Sequence, residues 1–358
     1  MRKLDWYIIK KFLGTFFFSI TLILLIVVVF DISEKIDDFI EKEAPLNAII
    51  FEYYLNFIPY FGNLFSPLFT FIAVIFFTSK MASNTEIVSI LSSGVSFQRM
   101  LLPFMISATI IGSLSFTLGN FIIPPANEVR LEFENTYIKN PYRNRDKNIH
   151  MQISPGNFVY MESYNNIKNI GYKFSMEQFK NGELQQKLFS NYVEWDSTAG
   201  KWNIHHYFMR KFDGLNEVLT EGKQLDTLIN LHPNDFNVRL NNVETMNFFE
   251  LNNYIAEERM KGSKNLVFHL IEKHKRMAFP FATIILTLIA VAFASRKVRG
   301  GIGLHLGAGL LISFSYILFM QVSTTFATNG DLSPGLAVWI PNLMYMGLAA
   351  YLLRRAPK

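Results

Sequence analysis

The chain has 358 residues, half of them hydrophobic, with 35 Phe, no Cys and a formal charge of +5; its mean hydropathy is +0.19. Apolar weight gathered in long blocks excludes an ordinary soluble enzyme, and the lack of Cys excludes disulfide frameworks, Cys-ligated zinc and thiol nucleophiles. The positive charge would suit nucleic acid in a soluble chain. Here the basic residues flank apolar blocks, so membrane topology accounts for them and no nucleic acid is expected as a partner.

A membrane span needs about 20 apolar residues. Six segments reach that length, at 12–30, 50–78, 101–123, 277–294, 304–326 and 336–353. The first follows Arg2, Lys3, Lys10 and Lys11 in the manner of a secretory signal. It is too long for a signal core and no small-x-small cleavage site follows, so it reads as an uncleaved span. Pro59, Pro67, Pro280 and Pro341 fall inside spans, where neighbouring groups can satisfy the freed carbonyls.

Charge sets the orientation. Arg2, Lys3, Lys10, Lys11, Lys80, Arg99, Arg296, Lys297, Arg299, Arg354, Arg355 and Lys358 all fall on one side of an alternating topology. The loop 31–44 on the other side holds Asp31, Glu34, Asp37, Asp38, Glu41 and Glu43 against Lys35 and Lys42. The positive-inside rule puts both termini in the cytoplasm and the large polar segment in the periplasm.

That polar segment, between the third and fourth spans, reads as β structure. Apolar and polar residues alternate over 157–162 and 167–178, the pair Asn181-Gly182 signals a tight hairpin, and strands follow at 184–196 and 202–212 with turns at Gly200 and Asp213-Gly214. A helix over 244–261 closes the segment, with Phe248, Leu251, Ile255 and Met260 on one face. The fold class expected is membrane α-helical, six transmembrane helices, with an inserted all-β periplasmic domain of jelly-roll type. Residues 1–123 form spans one to three, 124–262 the β domain and 263–358 spans four to six.

Catalytic motifs are missing. There is no G-x-x-x-x-G-K-[ST] phosphate loop and no H-E-x-x-H. His269 and His274 are five apart, off a common helical face, and His205 and His206 point to opposite faces of a strand, so no metal site is expected. Ser92-Ser93 lacks an Asp or His partner within the spans, which makes a serine protease a poor reading.

Two other features have candidate roles. The cytoplasmic loop near 83–94 reads as a short helix. Ser83 or Asn84 would cap it, Glu86 lies in its first turn, Ile87, Ile90 and Leu91 form an apolar face, and Gly94 ends it. It is either a docking knob for a partner or an ordinary interfacial helix. On the outer side, Lys264, Lys273, Lys275 and Arg276 precede span four. They either meet an anionic lipid entering between helices or snorkel to headgroups.

Several motifs carry a resemblance. The start Leu4-Asp5-x-Tyr7-Ile8, the loop Glu86-Ile87 to Gly94, Pro124-x-x-Asn127, Asn157-Phe158-Val159-Tyr160, Arg276-x-x-x-Pro280 and the three-domain-three layout resemble the LptF/LptG permeases of lipopolysaccharide export. The first and fourth of these look more like LptG. The resemblance covers essentially the whole chain. It implies a non-catalytic subunit that pairs with a second LptF/LptG-type permease, rests on an LptB-like ATPase dimer that binds the ATP, and passes lipopolysaccharide to an LptC/LptA-like periplasmic bridge. It holds no cofactor of its own. Glu86, Ile87, Ile90, Leu91 and Gly94 then match the family's coupling helix.

The family's basic residues after span one are replaced here by the acidic loop 31–44. Either divalent cations bridge those acids to phosphates, or the lipid carries fewer phosphates, or the contacts lie elsewhere, with Lys35, Arg130, Lys275 and Arg276 as candidates. Two rival functions need features absent from the sequence. A membrane-anchored sensor or scaffold with a periplasmic β domain would need a cytoplasmic output domain. A lone ion-coupled transporter would need carboxylates within its spans and inverted repeats.

Overall fold

The computed structural model describes residues 3–139, 144–214, 216–227, 229, 231–236, 240–263, 265–297, 301–330 and 332–356. Six of its helices are long and apolar enough to cross a membrane. They are α1 (Lys3–Glu41), α2 (Leu46–Ser83), α4 (Phe97–Tyr137), α6 (Leu266–Ala294), α7 (Gly301–Asn329) and α8 (Pro334–Arg354). The short α3 (Glu86–Ser92) follows α2, and α5 (Phe248–Lys261) precedes α6.

All six expected spans are present, and most run past their apolar blocks. Residues 31–41 are mainly Asp, Glu, Lys and Ile with no Gly or Pro, so nothing stops α1 where its hydrophobicity ends. It stops where Glu43 takes φ 52° ahead of Pro45. The third span likewise continues through a π-helical turn at Leu118–Ile122 to Tyr137, because Pro124 and Pro125 fall in the first turn of the resumed helix, where a missing N–H costs least.

The bundle core joins Ile8, Phe12 and Phe16 of α1 to Phe71 and Ile75 of α2, Phe104 of α4, and Leu286 and Ile289 of α6. Between spans, where lipid gives helices no hydrophobic reason to associate, small residues and polar pins hold them. A Cβ on Gly112 would lie 3.1 Å from the Pro280 carbonyl oxygen, so α4 and α6 touch at backbone distance. Asn342 donates to the Ala278 carbonyl at 3.1 Å and accepts from the Tyr316 hydroxyl at 2.9 Å, and Ser79 bonds His305 at 2.8 Å.

A second compact unit comprises Asn140–Val243 and Phe249–Leu266. Its sheet has six antiparallel strands in chain order: β1 (Lys147–Ser154), β2 (Asn157–Asn165), β3 (Ile170–Lys180), β4 (Glu183–Asp196), β5 (Lys201–Asp213) and β6 (Asn216–Thr227). The fold class is as expected, a helical membrane protein with an inserted β domain. Within that domain each strand pairs with its neighbours in sequence, the order of a meander. The Asn181-Gly182 turn forms as read, with φ of 55° and 83° and Lys180 opposite Glu183, the positive-φ pair that hairpins favour.

Strands β1 and β6 were not expected. Register sets Met151, Val159, Met176, Leu188 and Met209 in one row across five strands. Farther along the same sheet, Trp202 is fully buried with Tyr164 and Phe236, and its indole N–H donates to the Leu231 carbonyl at 2.7 Å.

Candidate functional site

At the end of the bundle that holds the start of α1, three elements are tied together. Asp5 accepts from both Arg99 terminal nitrogens at 2.7 Å, a bidentate pair that fixes the first turn of α1 to the first turn of α4. The Tyr7 hydroxyl donates to Glu86 at 3.0 Å, which ties α1 to α3. The Asn84 amide donates to the other Glu86 oxygen at 3.2 Å.

The cap of α3 differs from the sequence reading. α2 runs through Ser83 with Asn84 as its last cap, so neither is free to cap α3, and Thr85 does so in the left-handed region at φ 62° without a side-chain bond. Gly94 ends the helix as expected, at φ 86°, donating to the Leu91 carbonyl.

The apolar face is also turned. Ile87 is buried, and Ile90 and Leu91 pack partly buried against the bundle core. A helix of seven residues cannot hold itself together in water, so its apolar face is used to seat it. What it shows outward is Val88, 60 % exposed, with Ser89, Ser92, Ser93 and Gly94.

Toward the far end of α1, Lys35 is already engaged. It pairs with Asp31 at 2.6 Å, donates to the Tyr53 hydroxyl and lies 4.8 Å from the centre of the Tyr53 ring. Tyr54 donates to the other Asp31 oxygen at 3.1 Å. The two tyrosines stand on a π-helical turn, Ile49–Tyr54, that opens α2.

Arg130 and Arg276 come together with partners the sequence did not single out. Arg130 is buried, 3.8 Å from Glu134, 3.9 Å from Glu244, and 4.6 Å from the Tyr60 ring. Arg276 donates to Glu272 at 3.0 Å and to the Met246 carbonyl at 2.6 Å. Asn127 donates to the Glu244 carbonyl at 3.2 Å. Burial, and then the charge of Glu272, push the Glu244 carboxyl above the usual carboxylate range, with Arg130 and Arg276 opposing.

A cavity of about 230 Å³ opens among these groups, lined by Tyr60, Asn63, Asn127, Glu244, Glu272 and Lys275. Lys275 has no ion-pair partner among the described residues. Of the basic residues used to read topology, Arg2, Arg299 and Lys358 lie outside the described residues, as does Lys264 of the outer basic group. The i,i+4 spacings Arg130/Glu134 and Glu272/Arg276 were visible in the sequence as pairing signals. Tyr60, Asn63 and Glu244 gave no such signal.

The lipopolysaccharide export system permease LptF/LptG family matches residues 6–355, nearly the whole chain. The chain belongs to this family. It is therefore a membrane permease of lipopolysaccharide export, and the match does not separate LptF from LptG. No curated protein matches the chain. The LptF/LptG assignment gives the motifs a frame in which to act. Leu4-Asp5-x-Tyr7 is the segment that binds α3 and α4, and Arg276 before Pro280 lines the polar cavity.

Proposed function

We propose that this chain is the non-catalytic transmembrane subunit of an ABC-type lipopolysaccharide exporter in the bacterial inner membrane. Both termini are cytoplasmic and the β domain is periplasmic. ATP is bound and hydrolysed by an LptB-like dimer beneath it, and a second LptF/LptG-type permease completes the lipid cavity. The observation that carries the coupling part is the mounting of α3. Its outward face is small and free, while Glu86 is bonded to Tyr7 and Ile87 is seated in the core.

A push on α3 from the ATPase passes through Tyr7 to α1, and the Asp5–Arg99 pair carries it to α4. Lipid held near Lys275 and Arg276 is displaced toward the β domain. There the half-buried row of Met151, Met176 and Met209 offers an adaptable apolar surface that shelters acyl chains from water on the way to an LptC/LptA-like bridge.

Co-purification with the ATPase tests the docking role. The double variant Glu86→Ala, Val88→Asp is expected to lose the partner while keeping its fold, since neither side chain is in the core; retention at the wild-type level would sink the docking assignment. For the lipid, a photo-crosslinker at Lys275 is expected to capture lipopolysaccharide and one at Lys35, whose ammonium is spent on Asp31 and Tyr53, is not.

A further inference from the structure

The polar cavity is unusual in what it lacks. Of its two lining cations, Arg276 is consumed by Glu272 and the Met246 carbonyl, and Arg130 behind the wall lies close to Glu134 and Glu244. The cavity's acceptors are not consumed. The Asn63 and Asn127 side-chain oxygens and the Ser115 hydroxyl line the cavity buried and without a hydrogen-bond partner. Ser115 and Asn127 are each at least nine-tenths buried. Orphaned acceptors at this depth are unfavourable unless a donor arrives, and beside them stand the carboxylates of Glu244 and Glu272. Such a wall asks for N–H or O–H donors, and for positive charge.

A second cavity, of about 290 Å³, adjoins it. The two share Leu64, Lys275 and Phe279 as walls, and the second is otherwise lined mainly by apolar groups such as Phe65, Leu286 and Ile317. Each volume is below the ~300–1,000 Å³ of a pocket for a whole drug-sized ligand. Together they suit a molecule with a compact polar end and a chain. Lys275, with no ion-pair partner among the described residues, stands between the two.

We propose that the two cavities form one site for an amphiphile whose headgroup carries a primary ammonium beside a phosphate. The three N–H groups of the ammonium are shared among Glu244, Glu272 and the amide oxygens of Asn63 and Asn127. The phosphate lies at Lys275 and the hydrocarbon chain enters the apolar cavity. Arg276 and Arg130 already offset the two carboxylates, so a purely anionic headgroup would find Lys275 as its one spare cation and, elsewhere on the wall, acceptors in place of donors. This deepens, and rests on, the reading of the chain as a lipid-carrying permease. The phosphoamine chemistry could come from an amine-substituted lipopolysaccharide or from a phospholipid.

The test uses the intact exporter complex and native mass spectrometry. It is titrated with phosphatidylethanolamine, phosphatidylcholine and phosphatidylglycerol of matched chains, and separately with lipopolysaccharide with and without phosphoethanolamine groups. Ethanolamine and choline headgroups have the same charge, but only the first has N–H donors. The ethanolamine lipid is expected to bind about tenfold tighter, or 1.4 kcal/mol, and the advantage should vanish in Glu244→Gln/Glu272→Gln. Lys275→Met should weaken all three phospholipids alike.

Equal binding of the ethanolamine and choline lipids by the unmodified complex, with no amine preference among the lipopolysaccharides, would overturn the proposal, as would preference for the glycerol lipid. Retention of no phospholipid and no amine preference among lipopolysaccharides, the result if the cavity holds only water, would overturn it too. Amine preference seen only among lipopolysaccharides identifies them as the source. A complex that exports lipopolysaccharide normally without any amine preference refutes this inference and leaves the export reading standing. A complex that binds neither form of lipopolysaccharide refutes the export reading, while the ethanolamine-to-choline ratio still decides the site.

Discussion

Asp5 is 3 % exposed, and both its oxygens are taken by one guanidinium. Removing its charge leaves Arg99 without the partner that fixes its fork, so Asp5→Asn is expected to lower the melting temperature in detergent and to uncouple ATP hydrolysis from export. The exchanged pair Asp5→Arg/Arg99→Asp should recover part of both, which a merely bulky defect would not. Glu244 has a pH signature of its own. Its folded-state pKa is raised by burial and by Glu272, so its contribution to stability is fully present below the unfolded value of about 4.3 and is lost as pH rises through the folded value. Glu244→Gln keeps the uncharged form at every pH. Its melting temperature should match the wild type near pH 4 and exceed it at pH 8; equality at pH 8 would contradict the raised value.

α3 separates two kinds of residue within one short element. Ile87 is 2 % exposed in the bundle core, and Ile87→Ala is expected to cost about 2–4 kcal/mol as transfer and cavity terms add. Val88→Asp on the outer face should leave stability unchanged and act only on partner binding. The α4–α6 crossing predicts a third outcome. Gly112→Leu forces a side chain where a Cβ alone would lie 3.1 Å from backbone, and a cost of about 1–3 kcal/mol is expected, read as a lowered melting temperature. Elements of this kind were partly legible. The periodicity of α3 and its Gly94 stop could be read directly, but the direction of its apolar face depends on a core assembled from α1, α2 and α4. Strand β1 had a signal in the alternation Ile149, Met151, Ile153 before Pro155-Gly156, whereas the polar β6 is a strand only because β5 lies beside it.

For the molecule as a whole, hydropathy and charge were enough to read six spans and one inserted β domain, because water and lipid act on every residue of a block at once. The residues of the proposed lipid site were legible as basic positions only. Whether each cation is free or spent depends on partners such as Glu244 that lie far away in sequence, and no local pattern encodes that. The two compact units each have a core of their own, so they should unfold separately. The chain has four Trp. Trp195 and Trp202 belong to the β unit, and Trp6 and Trp339 to the bundle. In a Trp6→Phe/Trp339→Phe variant, urea should shift the fluorescence well before helical ellipticity is lost in detergent. A single coincident transition would show that the units are thermodynamically one. The Asp5–Arg99 pair also has a consequence for biosynthesis. Its members are 94 residues apart, which at about 5–20 residues per second is a wait of roughly 5–20 s. For that interval α1 lacks the Arg99 fork that fixes its first turn to α4, so a ribosome stalled before Arg99 should expose a chain that a membrane quality-control protease can take.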